Sequence, residues 1–266
     1  MRVRGGSCNV LGALCIVLGA AAASAQTLDA NVHAAAVPNA ITWVGYRVPK
    51  IPGNQTMCGS EHERTTRVVL EGAREIEVLA RIENGALTRL RTVTPDCEID
   101  ATGATLVWLT GVTPAESAAW LASLVDAAAG SRESTNRVAD PALAALAMQA
   151  GDGAADALVA AAKANASTRV RGQALFWLAQ RAGAVAIATI ANAVDTDPET
   201  EVKKRAVFAL SQLPKDEGVP KLIEVAKSHR NPEVRKQAFF WLGQSKDPRA
   251  VQFFEDILLK PAPPRR

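Results

Sequence analysis

The residues best suited to chemistry lie in one short stretch: Cys58, then Glu61, His62, Glu63 and Arg64. A thiolate and an imidazole at that spacing could share a metal ion, and a histidine between two carboxylates could act as a general base. Neither arrangement is complete. A structural zinc site takes four nitrogen or sulfur ligands, and Cys97 offers a third at most, with no second short pair. A general base needs an orienting partner, and the sequence identifies none. Cys58 and Cys97 do not form a CxxC redox pair. No glycine-rich phosphate loop or serine-centred nucleophile elbow stands out. The expectation is no metal, no cofactor and no catalytic residue. An enzyme with a site near His62 in the N-terminal domain is the alternative.

The four cysteines divide by compartment. Cys8 and Cys15 fall in a leader. Arg2 and Arg4 form its basic start, residues 10–23 are uncharged and apolar, and Ala23-Ser24-Ala25 fits a small-residue cleavage pattern. A spanning helix needs ~20 apolar residues, more than this run supplies. Residues 1–25 are therefore read as a cleaved signal peptide. The chain is expected to be periplasmic or secreted, with no stable membrane insertion. In an oxidising compartment one disulfide between Cys58 and Cys97 is the simplest assignment, two unpaired thiols being the other. Loss of Arg2 and Arg4 lowers the formal net charge of +3 by two. No basic block remains, so nucleic acid is not an expected partner.

The elements that would carry these residues follow from periodicity. Residues 26–40 are Ala-rich with little pattern and read as a flexible lead-in. Residues 41–48 suit a strand, with 67–70 a second, short candidate. Ile76, Val78, Ala80 and Ile82 alternate with neighbours that include Glu75, Glu77 and Arg81. Asn84-Gly85 then suits a type I′ turn, whose central residues need positive φ, and 87–93 is the return strand. A further hairpin is expected between 97–99 and 105–109, turning at 100–103. Thr113-Pro114-Ala115-Glu116 is a capping box opening a helix.

The carboxyl-terminal half repeats itself. Val170, Val202 and Val234 lie 32 residues apart, as do Phe176, Phe208 and Phe240, and Gln180, Gln212 and Gln244. Trp177 and Trp241 share one position of this phrase with Ala209. A fixed period of this size marks stacked helical repeats, each burying its apolar face on its neighbours. Asp140-Pro141, Asp197-Pro198, Asn231-Pro232 and Asp247-Pro248 look like N-caps followed by proline at the first helical position. The second helices carry a stripe with the same period: Ile187, Val219 and Val251; Ile190, Leu222 and Phe254; Val194, Ala226 and Leu258.

The run Asn231-Pro232-Glu233-Val234-Arg235-Lys236-Gln237-Ala238, continued by Leu242-Gly243-Gln244 and Asp247-Pro248-Arg249-Ala250-Val251, resembles the HEAT-like repeats first noted in phycobilisome lyases. The resemblance spans roughly residues 138–260. Trp43-Val44-Gly45-Tyr46-Arg47-Val48-Pro49 with Cys58 resembles the front end of a group of exported bacterial HEAT-repeat proteins. A HEAT-like oxidoreductase or lyase relative is a further alternative. Deoxyhypusine hydroxylases hold two irons through His-Glu pairs in several repeats. The one such pair here, His62-Glu63, lies outside the repeats, and His33, His62 and His229 cannot furnish that site. An exported chain would not meet the intracellular substrate of a phycobilin lyase.

The expected architecture is α+β. A small antiparallel β-rich domain, stapled by Cys58–Cys97 and ending in a helix, occupies 41–128. A linker follows at 129–139, then an all-α HEAT-like α-solenoid of about four helix pairs at 140–260, then a Pro-rich tail at 261–266. The expected function is a non-catalytic scaffold that binds another protein. On the second helices the positions opposite the stripe, Thr189, Lys221 and Phe253 with Asn192, Glu224 and Asp256, are the candidate partner surface. His229 is read as a solvated turn residue.

Overall fold

The computed structural model describes residues 15–18 (backbone only), 27–52, 58, 73–127, 135–181 and 183–259. The cluster at Glu61–Arg64, the strand candidate at 67–70 and the tail at 261–266 lie outside these residues. The chain is α+β and divides into two compact units, residues 1–157 and 158–266.

The first unit is built on a mixed sheet of β1 (Cys15–Leu18), β2 (Thr42–Pro49), β3 (Glu75–Glu83), β4 (Ala86–Val93) and β5 (Thr105–Leu109), in the order β1-β5-β2-β3-β4. β1 falls within the segment read as a removable leader. It runs parallel beside β5, so without it β5 becomes the sheet edge. β2, β3 and β4 form an antiparallel meander. Asn84 and Gly85 close the β3–β4 turn at φ 52° and 74°, values a two-residue primed hairpin requires.

The second expected hairpin does not form. Residues 97–99 are not a strand, and β5 pairs parallel with β2. The chain leaves β4, crosses one face of the sheet through residues 94–104, and returns on the far side of β2. A parallel neighbour requires a crossover of this kind, whereas a tight turn yields only an antiparallel one. The alternating apolar pattern fixes which side chains share a face. It does not name the partner strand.

The lead-in is also more ordered than its composition suggests. Helix α1 (Leu28–Ala34) is capped by Thr27 and buries Leu28 and Val32. Helix α2 (Pro114–Ala127) opens on the reciprocal capping box. The Thr113 N–H donates to Glu116 Oε2 at 2.9 Å, and the Glu116 N–H donates to Thr113 Oγ1 at 3.2 Å. The α2 residue Trp120 donates its indole N–H to Asp29 of α1 at 3.0 Å.

Helix α3 (Asp140–Met148) follows a single π-helical turn, Thr135–Ala139. That turn places Ala139 in helical conformation, so Asp140 lies inside the helix and does not act as an N-cap. α3 packs on α2 and on β3 and β4. Thr92 of β4 donates to the Pro141 carbonyl at 2.9 Å. This helix, expected to open the solenoid, therefore belongs to the sheet, and the unit boundary falls at 157/158 instead of in the linker at 129–139. The reason is its composition: every residue from Ala142 to Met148 is buried, so its pattern could not say which element covers it.

A polar chain locks this unit. The Tyr46 and Ser117 hydroxyls lie 2.9 Å apart. Ser117 donates to Gln149 Oε1 at 2.6 Å, and Gln149 Nε2 donates to the Pro114 carbonyl at 2.7 Å. Burial, opposed by the Ser117 hydrogen bond, pushes the Tyr46 phenol above its ordinary range, so it stays a neutral partner.

Helix α4 (Asp152–Ala164) carries the boundary between units. The second unit continues with three pairs: α5 (Thr168–Arg181) and α6 (Ala184–Thr196), α7 (Thr200–Gln212) and α8 (Lys215–Ser228), α9 (Pro232–Gln244) and α10 (Pro248–Leu259). α5, α7 and α9 lie side by side, and each packs against the second helix of its own pair.

Candidate interaction face

The repeated phrase becomes the seam between pairs. Val170, Val202 and Val234 are each buried completely, as are Ala174, Ala206 and Ala238. An aromatic ladder runs beside them. The Phe176 and Phe208 rings stack with centroids 5.9 Å apart, and Phe208 meets Trp241 at 4.9 Å. Trp177 leans edge-on against Phe176 at 5.2 Å. Phe240, at the same repeat position as Phe176 and Phe208, is 53% exposed.

Polar clamps tie each turn to the next helix. Arg171 of α5 donates Nε and one terminal nitrogen to the two carboxylate oxygens of Asp197, at 2.8 and 3.1 Å. Its other terminal nitrogen donates to the Asn165 carbonyl at 2.9 Å. Both members of this fork-shaped pair are buried. Thirty-two residues on, Lys203 reaches the carbonyl of Val194 at 3.1 Å, and Arg235 reaches that of His229 at 2.6 Å. His229 is half-buried and hydrogen-bonded on both ring nitrogens, not a freely solvated residue. Its Nε2–H donates to the Val194 carbonyl at 3.1 Å while Nδ1 accepts from the Asn231 N–H at 3.1 Å. Sequence reasoning passed over these residues. The signal was present in the recurring cation at 171, 203 and 235.

The N-caps at the later prolines hold. Asn231 accepts from the Glu233 N–H at 2.9 Å, and Asp247 accepts from the Arg249 N–H at 2.9 Å. The Arg249 guanidinium and backbone bonds hold the Asp247 carboxyl down to about 2. Asp197 makes the matching bond to the Glu199 N–H at 2.9 Å, although α7 itself starts at Thr200.

The expected partner surface divides. Thr189 and Phe253 are buried, at 4% and 3% exposure, and cannot meet a partner. The buried arc of α6 spans Ala186, Thr189, Ile190, Ala193 and Val194, wider than a single stripe. α10 is turned so that Ala250 and Phe253 face inward. Each residue advances a helix by ~100°, so a one-residue shift exchanges Phe254 for Phe253. The Phe253 ring packs on Phe239 at 5.5 Å. Asn192, Lys221 and Glu224 are exposed and Asp256 is half-buried. Lys221 pairs with Glu224 at 3.2 Å, Asn192 Oδ1 accepts from Thr196 at 3.1 Å, and Asp256 accepts from Gln252 at 3.3 Å.

The apolar surface lies elsewhere. Val219, Leu222 and Ala226 of α8 are all buried, whereas two of their three counterparts in α10 open outward, Val251 at 52% and Leu258 at 78% exposure, the third, Phe254, being half-buried. Phe240, Ile257 and Leu259 are exposed as well.

Residues 187–266 match the family model of HEAT repeats. Among solved structures the chain is similar to the complex of CpcE and CpcF of phycocyanin lyase from Nostoc sp. PCC7120. The two share 17% identity, over 55% of this chain and 92% of that one, with a TM-score of 0.41. No curated protein matches the chain.

In the first unit Cys58 and Cys97 form a disulfide, their Cα atoms 5.3 Å apart. His62 lies outside the described residues. His33 sits at the end of α1, its Nδ1 2.9 Å from the Asp29 carbonyl. Among the described residues no group of three His, Cys, Asp or Glu could hold a metal ion, and no helix is long and apolar enough to cross a membrane.

Proposed function

We propose that this chain is an exported, non-catalytic HEAT-repeat scaffold that binds another protein through the outer surface of its last described helix pair. The observation carrying this reading is the opened stripe on α10. Positions that close the seam in α8 stand exposed at Val251 and Leu258. A stacked-repeat array buries each such stripe under its neighbour, and an uncovered one retains the same affinity for an apolar helical face. Export is supported by the leader pattern of residues 1–25 and by the Cys58–Cys97 bridge, which persists in oxidising compartments.

The test is affinity capture from the cell envelope with the wild-type chain and with a Phe240→Glu/Leu258→Glu variant. The same discrete partner should come down with wild type and be lost with the variant, whose exposed substitutions leave the fold intact by circular dichroism. Equal recovery by both would overturn the proposal.

A further inference from the structure

The crossing of residues 94–104 over the sheet builds a second feature, independent of the solenoid. Successive residues of a strand point to opposite faces. Register therefore places Trp43, Leu79, Arg91 and Leu106 on one face of β2–β5 and Tyr46, Val78 and Leu90 on the other. The first of these faces lies beneath the crossing segment, which lays Ile99 and Ala101 on it as a small core with Leu79, Val93 and Leu106. That core is incomplete. A cavity of about 270 Å³ remains, with an apolar wall of Trp43, Leu79, Ile99 and Leu106 and the Cys58 end of the disulfide at its margin.

The charged groups at this cavity are one half-buried cation and two exposed carboxylates. Three charged residues line it: Arg91, Glu98 and Asp100. The Asp100 carboxylate is engaged by Thr102, whose N–H and hydroxyl donate to it at 2.8 and 2.6 Å. Glu98 is exposed. Arg91 is half-buried, and neither it nor Arg89, two residues along the same strand, has an ion-pair partner among the described residues. Arg47 and Arg81, by contrast, are paired with Glu77 and Glu83. The mutual repulsion is felt at Arg89. Its guanidinium is held below the ordinary arginine range by Arg91 first, then by burial, Arg137 and Arg81.

We propose that this cavity is a binding site for a small organic carboxylate, with an apolar body against Trp43, Leu79 and Leu106 and a carboxylate head on Arg91. A guanidinium fork matches a carboxylate with two parallel hydrogen bonds, and an anion there also relieves the Arg89–Arg91 repulsion. At ~30 Å³ per water-sized site, the cavity accommodates about nine such sites, the bulk of a short aliphatic chain.

Isothermal titration of the full chain with octanoate tests the site, with 1-octanol as the uncharged control. Octanoate should bind saturably at one equivalent, and octanol at least about tenfold more weakly, the effect of a charge-assisted hydrogen bond. Arg91→Gln should weaken octanoate about tenfold or more while leaving octanol unchanged, and Arg91→Lys should recover part of the loss. Absence of saturable octanoate binding, equal affinity for octanol, or an Arg91→Gln variant that binds like wild type would each overturn the proposal.

Discussion

Cutting the Arg171–Asp197 pair should reveal how tightly one helix pair is bound to the next. Both side chains are withdrawn from water, with 10% and 5% of their surfaces exposed. Asp197→Ala leaves the guanidinium with one of its three observed acceptors, the Asn165 carbonyl, and strands the Glu199 N–H. Arg171→Met leaves a carboxylate in the same place with one backbone donor. Removing one partner of a buried pair costs ~3–5 kcal/mol, because the other charge remains uncompensated. Removing both withdraws that penalty. The double variant should therefore cost less than either single one, a coupling of at least ~3 kcal/mol. For a chain of this size 1 kcal/mol shifts the melting midpoint by ~2–4 °C, so each single variant should lose ~6–20 °C. Urea unfolding of the four members of the cycle measures the coupling. Single losses that simply add, with coupling under ~0.5 kcal/mol, would refute the reasoning.

Three further outcomes follow from other parts of the chain. Ser117→Ala should destabilise the first unit by ~1–3 kcal/mol in urea, because it leaves the buried Tyr46 hydroxyl and Gln149 amide without their shared partner; no change would contradict the network. Asp247 titrates lower in the folded chain, about 2, than its ordinary 3.8. Its contribution is complete above pH ~4 and is lost as pH falls toward 2, so Asp247→Asn should flatten the melting-temperature profile in that window and leave its course above pH 5 unchanged. Replacing Cys58 and Cys97 by serine opens a loop with 39 residues of sequence separation, and urea unfolding should report a loss of ~4 kcal/mol on the chain-entropy estimate.

How much of this was legible before coordinates depends on the range of the interaction. Local chemistry read well. The Asn84-Gly85 turn, the Thr113–Glu116 box and the Asn231 and Asp247 caps each involve partners within a few residues, and side-chain type alone specifies them. The 32-residue period read well too, because every unit meets the same neighbour. What failed was long-range. Nothing in 94–109 announces that β5 pairs parallel with β2, since alternation is the same for either direction. α3 is apolar on all sides and fits sheet or solenoid equally. On the second helices the period located the stripe, while the one-residue rotation of α10, which buries Phe253 and exposes Leu258, depends on the packing of Phe239 against it.

The exposed Val251 and Leu258 of α10 form the proposed docking surface. Photo-crosslinking in the native envelope tests this most directly, with p-benzoylphenylalanine placed at Leu258 and, as a control, at Glu201 on the exposed surface of α7. The prediction is one discrete protein adduct from position 258, abolished by Phe240→Glu, and none from position 201. Identical patterns from the two positions, or no adduct from 258, would contradict it.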